Sequence, residues 1–199
     1  MVPLRPARDA PPERGGMKER SNIVLCGFMA TGKSSVGRRL GELAGYRFLD
    51  LDAAIEEEEG VSIPEIFASR GEPAFRALER RMVERVAGET GLVIATGGGT
   101  VVDPGNLDRL RRSGVIVTLT ADVGAILERA GRGDDRPMLR ADDRERRVRA
   151  LLEERAPAYA QADITLDTTG LGVEQAARRL LELLRELGVP LPGPPENQD

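Results

Sequence analysis

Short apolar runs alternate with longer amphipathic stretches along most of the chain. Five runs (22–26, 46–49, 92–96, 115–119 and 164–166) are mostly apolar and bounded by Gly, Asp or Thr. Strands buried in a parallel sheet take this form. Between them, apolar residues recur at helical spacing over 33–43, 53–59, 63–69, 73–87, 104–112, 123–129, 142–155 and 173–187. The last segment places Val173, Ala176, Ala177, Leu180, Leu181, Leu184 and Leu187 on one stripe, so it is expected to pack on the sheet. Such alternation predicts an α/β fold with a doubly wound parallel sheet and a ligand crevice at the carboxyl ends of the strands.

Both ends break the pattern. Residues 1–20 (MVPLRPARDAPPERGGMKER) carry Pro, Arg and Gly with no apolar run, and read as a disordered tail without a signal peptide's apolar segment. Met17 follows Glu-Arg-Gly-Gly, whose codons can resemble a purine-rich ribosome-binding site, and translation is expected to start there. The Pro-rich stretch 189–199 reads as a flexible C-terminal tail, leaving 21–188 as the folded domain. No apolar stretch approaches the ~18 residues of a membrane span, so no membrane association is expected.

Composition narrows the chemistry. A chain of 199 residues supports one core that buries roughly 70% of the unfolded surface. There is no His, which excludes a His general base, a Ser-His-Asp triad and a His-ligated metal. The single Cys26 excludes an intrachain disulfide and a Cys zinc cluster, and suits a reducing, cytoplasmic compartment. With no Trp and a net charge of −4, stacking platforms and a positive field are missing, so no nucleic-acid partner is expected. Among the 29 basic residues only Lys18 and Lys33 are lysines; the other 27 are arginines. Carboxylates, arginines, hydroxyls, backbone amides and one lysine suit phosphoryl transfer, which relies on positioning and charge neutralisation.

Gly27-Phe28-Met29-Ala30-Thr31-Gly32-Lys33-Ser34 matches G-x-x-x-x-G-K-[ST] between a predicted strand and a predicted helix. In this pattern backbone amides and the helix N-terminus cradle phosphates, Lys33 reaches the β/γ-phosphates and the Ser34 hydroxyl ligates Mg²⁺. Outside the N-terminal tail, Lys33 is the only lysine that this arginine-biased chain retains. The strand 92–96 ends in Gly97-Gly98-Gly99 rather than in acids, unlike a motor-type ATPase, and no Asn-Lys-x-Asp specifies guanine. The acids near the metal must come from elsewhere. In an extended segment residues i and i+2 point the same way, so Asp50 and Asp52 are expected to project together past the second strand.

Residues 21–187 resemble shikimate kinase through GFMATGKSSVGRRL, FLDLD, IPEIFASRGEPAFR, VIATGGGTVV, RPML and ERAPAY, in family order and at family-like spacing. The resemblance implies a P-loop three-layer α/β/α fold of the nucleoside-monophosphate-kinase type, with a five-stranded parallel sheet and a mobile lid over 131–143. It also implies a monomer that moves the γ-phosphoryl of ATP to the 3-hydroxyl of shikimate, with Mg²⁺. The metal site then falls on Ser34 and Asp50, and the acid contacting the substrate hydroxyls on Asp52. Arg76 and Arg155 match the clamp on the substrate carboxylate, and Gly97, Gly98 and Gly99 match the substrate-binding loop. The ATP-binding set becomes Ala30, Thr31, Gly32, Lys33, Ser34, Ser35, Arg129 beside the adenine, and Arg136 of the lid at the moving phosphoryl. Lys33, Asp52 and Arg136 are the implied catalytic residues.

Two residues forks of Arg type from different helices fix both the orientation and the position of a carboxylate-bearing ring. Three glycines after a strand allow a close approach that any Cβ would block. The chain departs from the family at Ala30, where Gly is usual, and a small residue is tolerable there if its φ stays negative. The stretch 167–172 lacks an arginine that some relatives place near the adenine, so no base contact is assigned to it. Two alternatives stand beside this reading: the same transfer to another small acceptor such as gluconate, and a kinase-like module that binds nucleotide as a regulatory domain. A coupled ADP-release assay over several acceptors separates the three.

Overall fold

The computed structural model describes residues 21–131 and 144–193. The N-terminal tail with Met17, most of the expected lid with Arg132, Arg136 and Arg140, and residues 194–199 lie outside the described residues.

Five parallel strands form one sheet in the order β2-β3-β1-β4-β5. They are β1 (Asn22–Gly27), β2 (Arg47–Asp50), β3 (Leu92–Ala95), β4 (Gly114–Thr120) and β5 (Ile164–Asp167). The helices are α1 (Lys33–Ala44), α2 (Leu51–Glu59), α3 (Ile63–Ala87), α4 (Pro104–Ser113), α5 (Val123–Gly131), α6 (Arg144–Tyr159) and α7 (Val173–Glu186). Central β1 pairs on one side through Leu25 with Ala95 of β3, and on the other through Leu25 with Val117 of β4. The chain leaves β1 toward β2 and later crosses to β4, so the strand order reverses at β1. A crevice therefore opens at its carboxyl end.

The strand period of two builds both cores. Ile23 and Leu25 face one way with Val93, Val115, Val117 and Leu119, under α1 (Val36, Leu40, Ala44) and α7 (Ala176, Ala177, Leu180, Leu184). Val24 and Cys26 face the other way with Ile94 and Ile116, against Met82, Val83, Leu110, Ile126 and Val148. These faces give the three α/β/α layers expected from the sequence. Burial pushes the Cys26 thiol pKa up, and its Sγ sits 3.1 Å from Thr118 Oγ1, so it behaves as a core residue. Asn22 tethers the entry to β1 and β3, donating to Glu89 O at 2.7 Å and accepting from Leu92 N at 3.0 Å. Among the described residues, no helix is long and apolar enough to cross a membrane.

Several details differ from the sequence-based expectation. Helix α2 starts at Leu51, so Asp52 lies in its first turn instead of in an extended segment. The two helices expected over 63–69 and 73–87 run on as α3, broken at Gly71 (φ 77, ψ 171) just before Pro73. Helix α6 reaches Tyr159 with Pro157 in its last turns, which places Arg155 inside a helix. Val173, expected on the packed stripe of α7, is 46% exposed at the edge of the crevice. The first part of the expected C-terminal tail is packed chain. Val189 is buried, Tyr46 donates to Pro190 O at 2.8 Å, and Gly193 N donates to Ala44 O at 3.2 Å.

Gly27, where β1 turns into the phosphate loop, has φ 133 and lies so close to Leu119 O of β4 that no Cβ fits. Gly60, after α2, has φ 68 with open space where a Cβ would stand. Gly60→Ala is expected to cost about 1 kcal/mol, the backbone penalty alone. Gly27→Ala adds a clash with main chain and is expected to cost at least about 3 kcal/mol. Urea unfolding of both variants measures the difference.

Candidate active site

The crevice at the carboxyl ends of β1, β2 and β3 holds a cavity of about 780 Å³. Its floor is the phosphate loop, and Met29, Ala30, Thr31, Gly32, Lys33, Ser34 and Ser35 all line it. Helix α1 differs from the next three helices at its start. Asp50, Ser62 and Asp103 cap α2, α3 and α4 through their side chains, whereas Gly32 caps α1 without one and no acid lies in its first turn. The N-terminal amides of α1 are left to an anion. Lys33 Nζ folds over the loop and donates to Gly27 O at 3.0 Å and Phe28 O at 2.9 Å. Thr31 Oγ1 closes the turn on Phe28 O at 2.8 Å.

Ala30 does not meet the condition of a negative φ. Its φ is +62, the only positive φ among described residues other than glycine. The left-handed conformation costs a residue with a Cβ roughly 1–2 kcal/mol, so this loop is held under strain.

Asp50 and Asp52 converge by a different route from strand alternation. Asp50 is the N-cap of α2: its Oδ1 accepts from Asp52 N at 3.1 Å and Ala53 N at 3.4 Å, and its Oδ2 accepts from Ser34 Oγ at 2.6 Å. One carboxylate thus ties β2, α2 and the phosphate loop together. Asp52, on the first turn of α2, turns inward. Burial first, then the nearby Asp50, Glu79 and Glu56 carboxylates, push its pKa up to about 6, with Lys33 opposing.

The three glycines each face a different charged side chain. A Cβ on Gly97 would stand 2.8 Å from Asp52 Oδ1, one on Gly98 2.9 Å from Arg155 Nη1, and one on Gly99 3.0 Å from Arg76 Nη1. Arg76 comes from α3 and Arg155 from α6, so two guanidinium groups from different helices meet over one backbone segment. The exposed Glu72 occupies one edge of the Arg76 fork, accepting from Nη2 at 3.1 Å and Nε at 3.3 Å. An incoming carboxylate can take that edge.

Side chains that the sequence did not single out hold these groups in place. Glu79, 1% exposed, accepts from Arg76 Nη1 at 2.9 Å and from Thr100 Oγ1 at 2.6 Å, orienting the guanidinium from behind. Its spacing of three from Arg76 on one helix was the available signal. Tyr159 donates to Gly98 O at 2.6 Å; burial pushes its pKa up to about 12, which keeps the proton on the donor. Phe67 and Phe75 stack with centroids 4.8 Å apart and form, with Ile63, an apolar wall of the cavity. Arg155 lies 5.6 Å from the centroid of Phe28. Arg129 lines the far end of the cavity, and its guanidinium engages main chain: Nη2 donates to Thr168 O at 2.7 Å and Nη1 to Ala30 O at 3.4 Å. Of the expected site residues, Arg136 alone lies outside the described residues.

A family model described as shikimate kinase matches residues 29–185. The shikimate kinase of Geobacter metallireducens is 49% identical over 159 residues, which cover 80% of this chain and 89% of that protein. That of Halorhodospira halophila is 46% identical over 166 residues, covering 83% and 94%. A solved shikimate kinase from Acinetobacter baumannii in complex with shikimate superimposes with a TM-score of 0.81 at 36% identity, covering 85% of this chain and 96% of that one. A matched model over most of the length, on a sheet and crevice of this form, makes the chain a member of the shikimate kinase family.

Proposed function

We propose that this protein transfers the γ-phosphoryl of ATP to the 3-hydroxyl of shikimate, giving shikimate 3-phosphate and ADP. The observation that carries the reading is the glycine triplet packed against Asp52, Arg155 and Arg76, which sets two forks for a carboxylate beside one acid for a hydroxyl. Arg76 and Arg155 grip the ring carboxylate, the Phe67–Phe75 wall covers an apolar face of the ring, and the phosphate loop holds the nucleotide.

Ser34 and Asp50 present hard oxygen donors 2.6 Å apart beside the loop. A hydroxyl and one carboxylate fit Mg²⁺, which completes its shell with waters and phosphate oxygens. Ser34 would hold it directly and Asp50 through its waters. When bound, it neutralises charge on the β- and γ-phosphates. Asp52 accepts a hydrogen bond from the acceptor hydroxyl and orients its oxygen. As that oxygen bonds to the γ-phosphorus and the bond to ADP breaks, the hydroxyl proton passes to Asp52. A loose transition state asks little of the base, and a carboxylate with a pKa of about 6 suits it near neutrality. Lys33 supplies positive charge at the moving phosphoryl, a role the family resemblance also gives to Arg136. The protein acts as a cytoplasmic monomer.

The direct test mixes protein, Mg²⁺, ATP and shikimate and measures ADP and shikimate 3-phosphate; turnover of gluconate in place of shikimate would overturn the assignment. Arg76→Lys and Arg155→Lys each lose the fork and are expected to raise KM for shikimate roughly 10–100-fold while KM for ATP moves less than threefold. Arg136→Ala is expected to lower kcat by about 10³–10⁵, and a loss below tenfold would remove it from the mechanism.

Asp52 must be ionised to work, so log kcat/KM is expected to fall with unit slope below about pH 6. Its stability effect has the opposite sign to that of an ion-paired acid. Folding raises this pKa, so the ionised group destabilises the fold fully above pH 6, progressively less as pH falls, and not at all below about pH 4. Asp52→Asn is therefore expected to abolish turnover and to gain up to about 3 kcal/mol at pH 8, with no gain at pH 4, as read by urea unfolding.

A further inference from the structure

We propose that Thr168 and Arg129 form a clamp that holds the phosphate loop in its nucleotide-binding curve against the strain at Ala30. The inference rests on the reading of that loop as the nucleotide site, and it gives both residues a positioning role.

Thr168 follows β5 and is 2% exposed. Its amide donates to Thr120 O at 2.8 Å, which anchors it to the end of β4. Its hydroxyl lies 2.9 Å from the same Thr120 O and 3.0 Å from Thr31 O of the phosphate loop. A hydroxyl has one proton to give. Thr120 O already accepts the amide, so the proton is best spent on the loop. The hydroxyl oxygen accepts from Arg129 Nη1 at 3.2 Å, Arg129 Nη2 donates to Thr168 O at 2.7 Å, and Arg129 Nη1 also reaches Ala30 O at 3.4 Å. The carbonyls of Ala30 and Thr31, two in succession, are therefore both drawn toward the β4–β5 side.

Peptide planarity converts this pull into a binding geometry. No described peptide bond is cis, and in a trans peptide the C=O and N–H point in opposite directions. Drawing the carbonyls of Ala30 and Thr31 to one side turns the amides of Thr31 and Gly32 to the other. The same two contacts fix the chain on the carboxyl side of Ala30, whose φ of +62 a Cβ disfavours. A glycine there would keep the curve unaided. Ala30 makes the loop depend on Thr168 and Arg129.

The test is a double-mutant cycle, with Mg²⁺·ADP titrated calorimetrically and kinetics run on the full-length protein. Thr168→Val keeps the shape and removes the hydroxyl; it is expected to raise Kd for ADP about tenfold while KM for shikimate moves less than twofold. Thr168→Ser keeps the hydroxyl and is expected to stay within threefold of the unmodified protein. Ala30→Gly in the Thr168→Val background is expected to restore most of the lost affinity. Unchanged ADP binding in Thr168→Val, an equal loss in Thr168→Ser, or no rescue by Ala30→Gly would each overturn the clamp. If Thr168→Val does not fold, Arg129→Met runs the same cycle from the other half of the clamp. If the unmodified protein binds no Mg²⁺·ADP, the nucleotide reading fails, and urea unfolding judges the clamp separately. Ala30→Gly must then stabilise the unmodified protein more than it stabilises Thr168→Val, and equal increments overturn the proposal.

Discussion

Three consecutive positions without a side chain allow Asp52, Arg155 and Arg76 to converge, because any Cβ at Gly97, Gly98 or Gly99 would stand within 3.0 Å of one of them. The crowding comes from backbone placement. Helices α2, α3 and α6 each deliver one charged group to a segment that leaves the sheet at β3. Supporting contacts then fix the segment itself: Tyr159 holds Gly98 O, and Glu79 reaches Thr100 beyond the triplet. Side chains held this way have little freedom left to lose, and such positioning is where many enzymes obtain much of their rate.

Collecting charges in one crevice creates a tension between function and stability. Glu79 is almost fully buried, yet Arg76 and Thr100 satisfy it, so its burial is compensated. Asp52 has no such ion pair among the described residues; it is largely buried and sits among Asp50, Glu79 and Glu56, which is why its proton is held more tightly. The acid proposed to serve the reaction is thus one whose charge the fold disfavours. Asp50 shows the contrary solution: the same residue type at the end of β2 caps a helix and accepts from Ser34, so its charge stabilises the local fold.

Much of this was legible in the sequence. The five apolar runs and the stripe of α7 follow from periodicities that tertiary structure does not override, and GxxxxGKS places a loop between strand and helix for a backbone reason. What the sequence hid depends on local geometry or on distant partners. Asp50 and Asp52 were expected together through strand alternation; a helix that begins at Leu51 brings them together through its cap instead. Ala30 showed in the sequence only as a departure from glycine; its positive φ and the contacts that Thr168 and Arg129 make to the loop belong to the folded chain. Residues 189–193 read as tail from their prolines, although main-chain and tyrosine contacts to the end of α1 and to Tyr46 hold them. Glu79 and Thr168 are ordinary residues in sequence, and only burial against their partners marks them.

The absence of histidine acquires a structural meaning here. An imidazole gives an enzyme a group that titrates near neutrality without help. This chain obtains a comparable group by placing an aspartate where burial and neighbouring acids raise its pKa to about 6. That shift lasts only while the crevice keeps its shape, since solvating Asp52 or moving Asp50 lowers its pKa toward the ordinary carboxylate range. The phosphate loop has ties of the same kind, because side chains outside it donate to the carbonyls of Ala30 and Thr31. The proton affinity of Asp52 and the ties of the loop are therefore both properties of the assembled fold, and they meet at Asp50, whose carboxylate accepts from Ser34 of the loop and from the Asp52 amide in the first turn of α2.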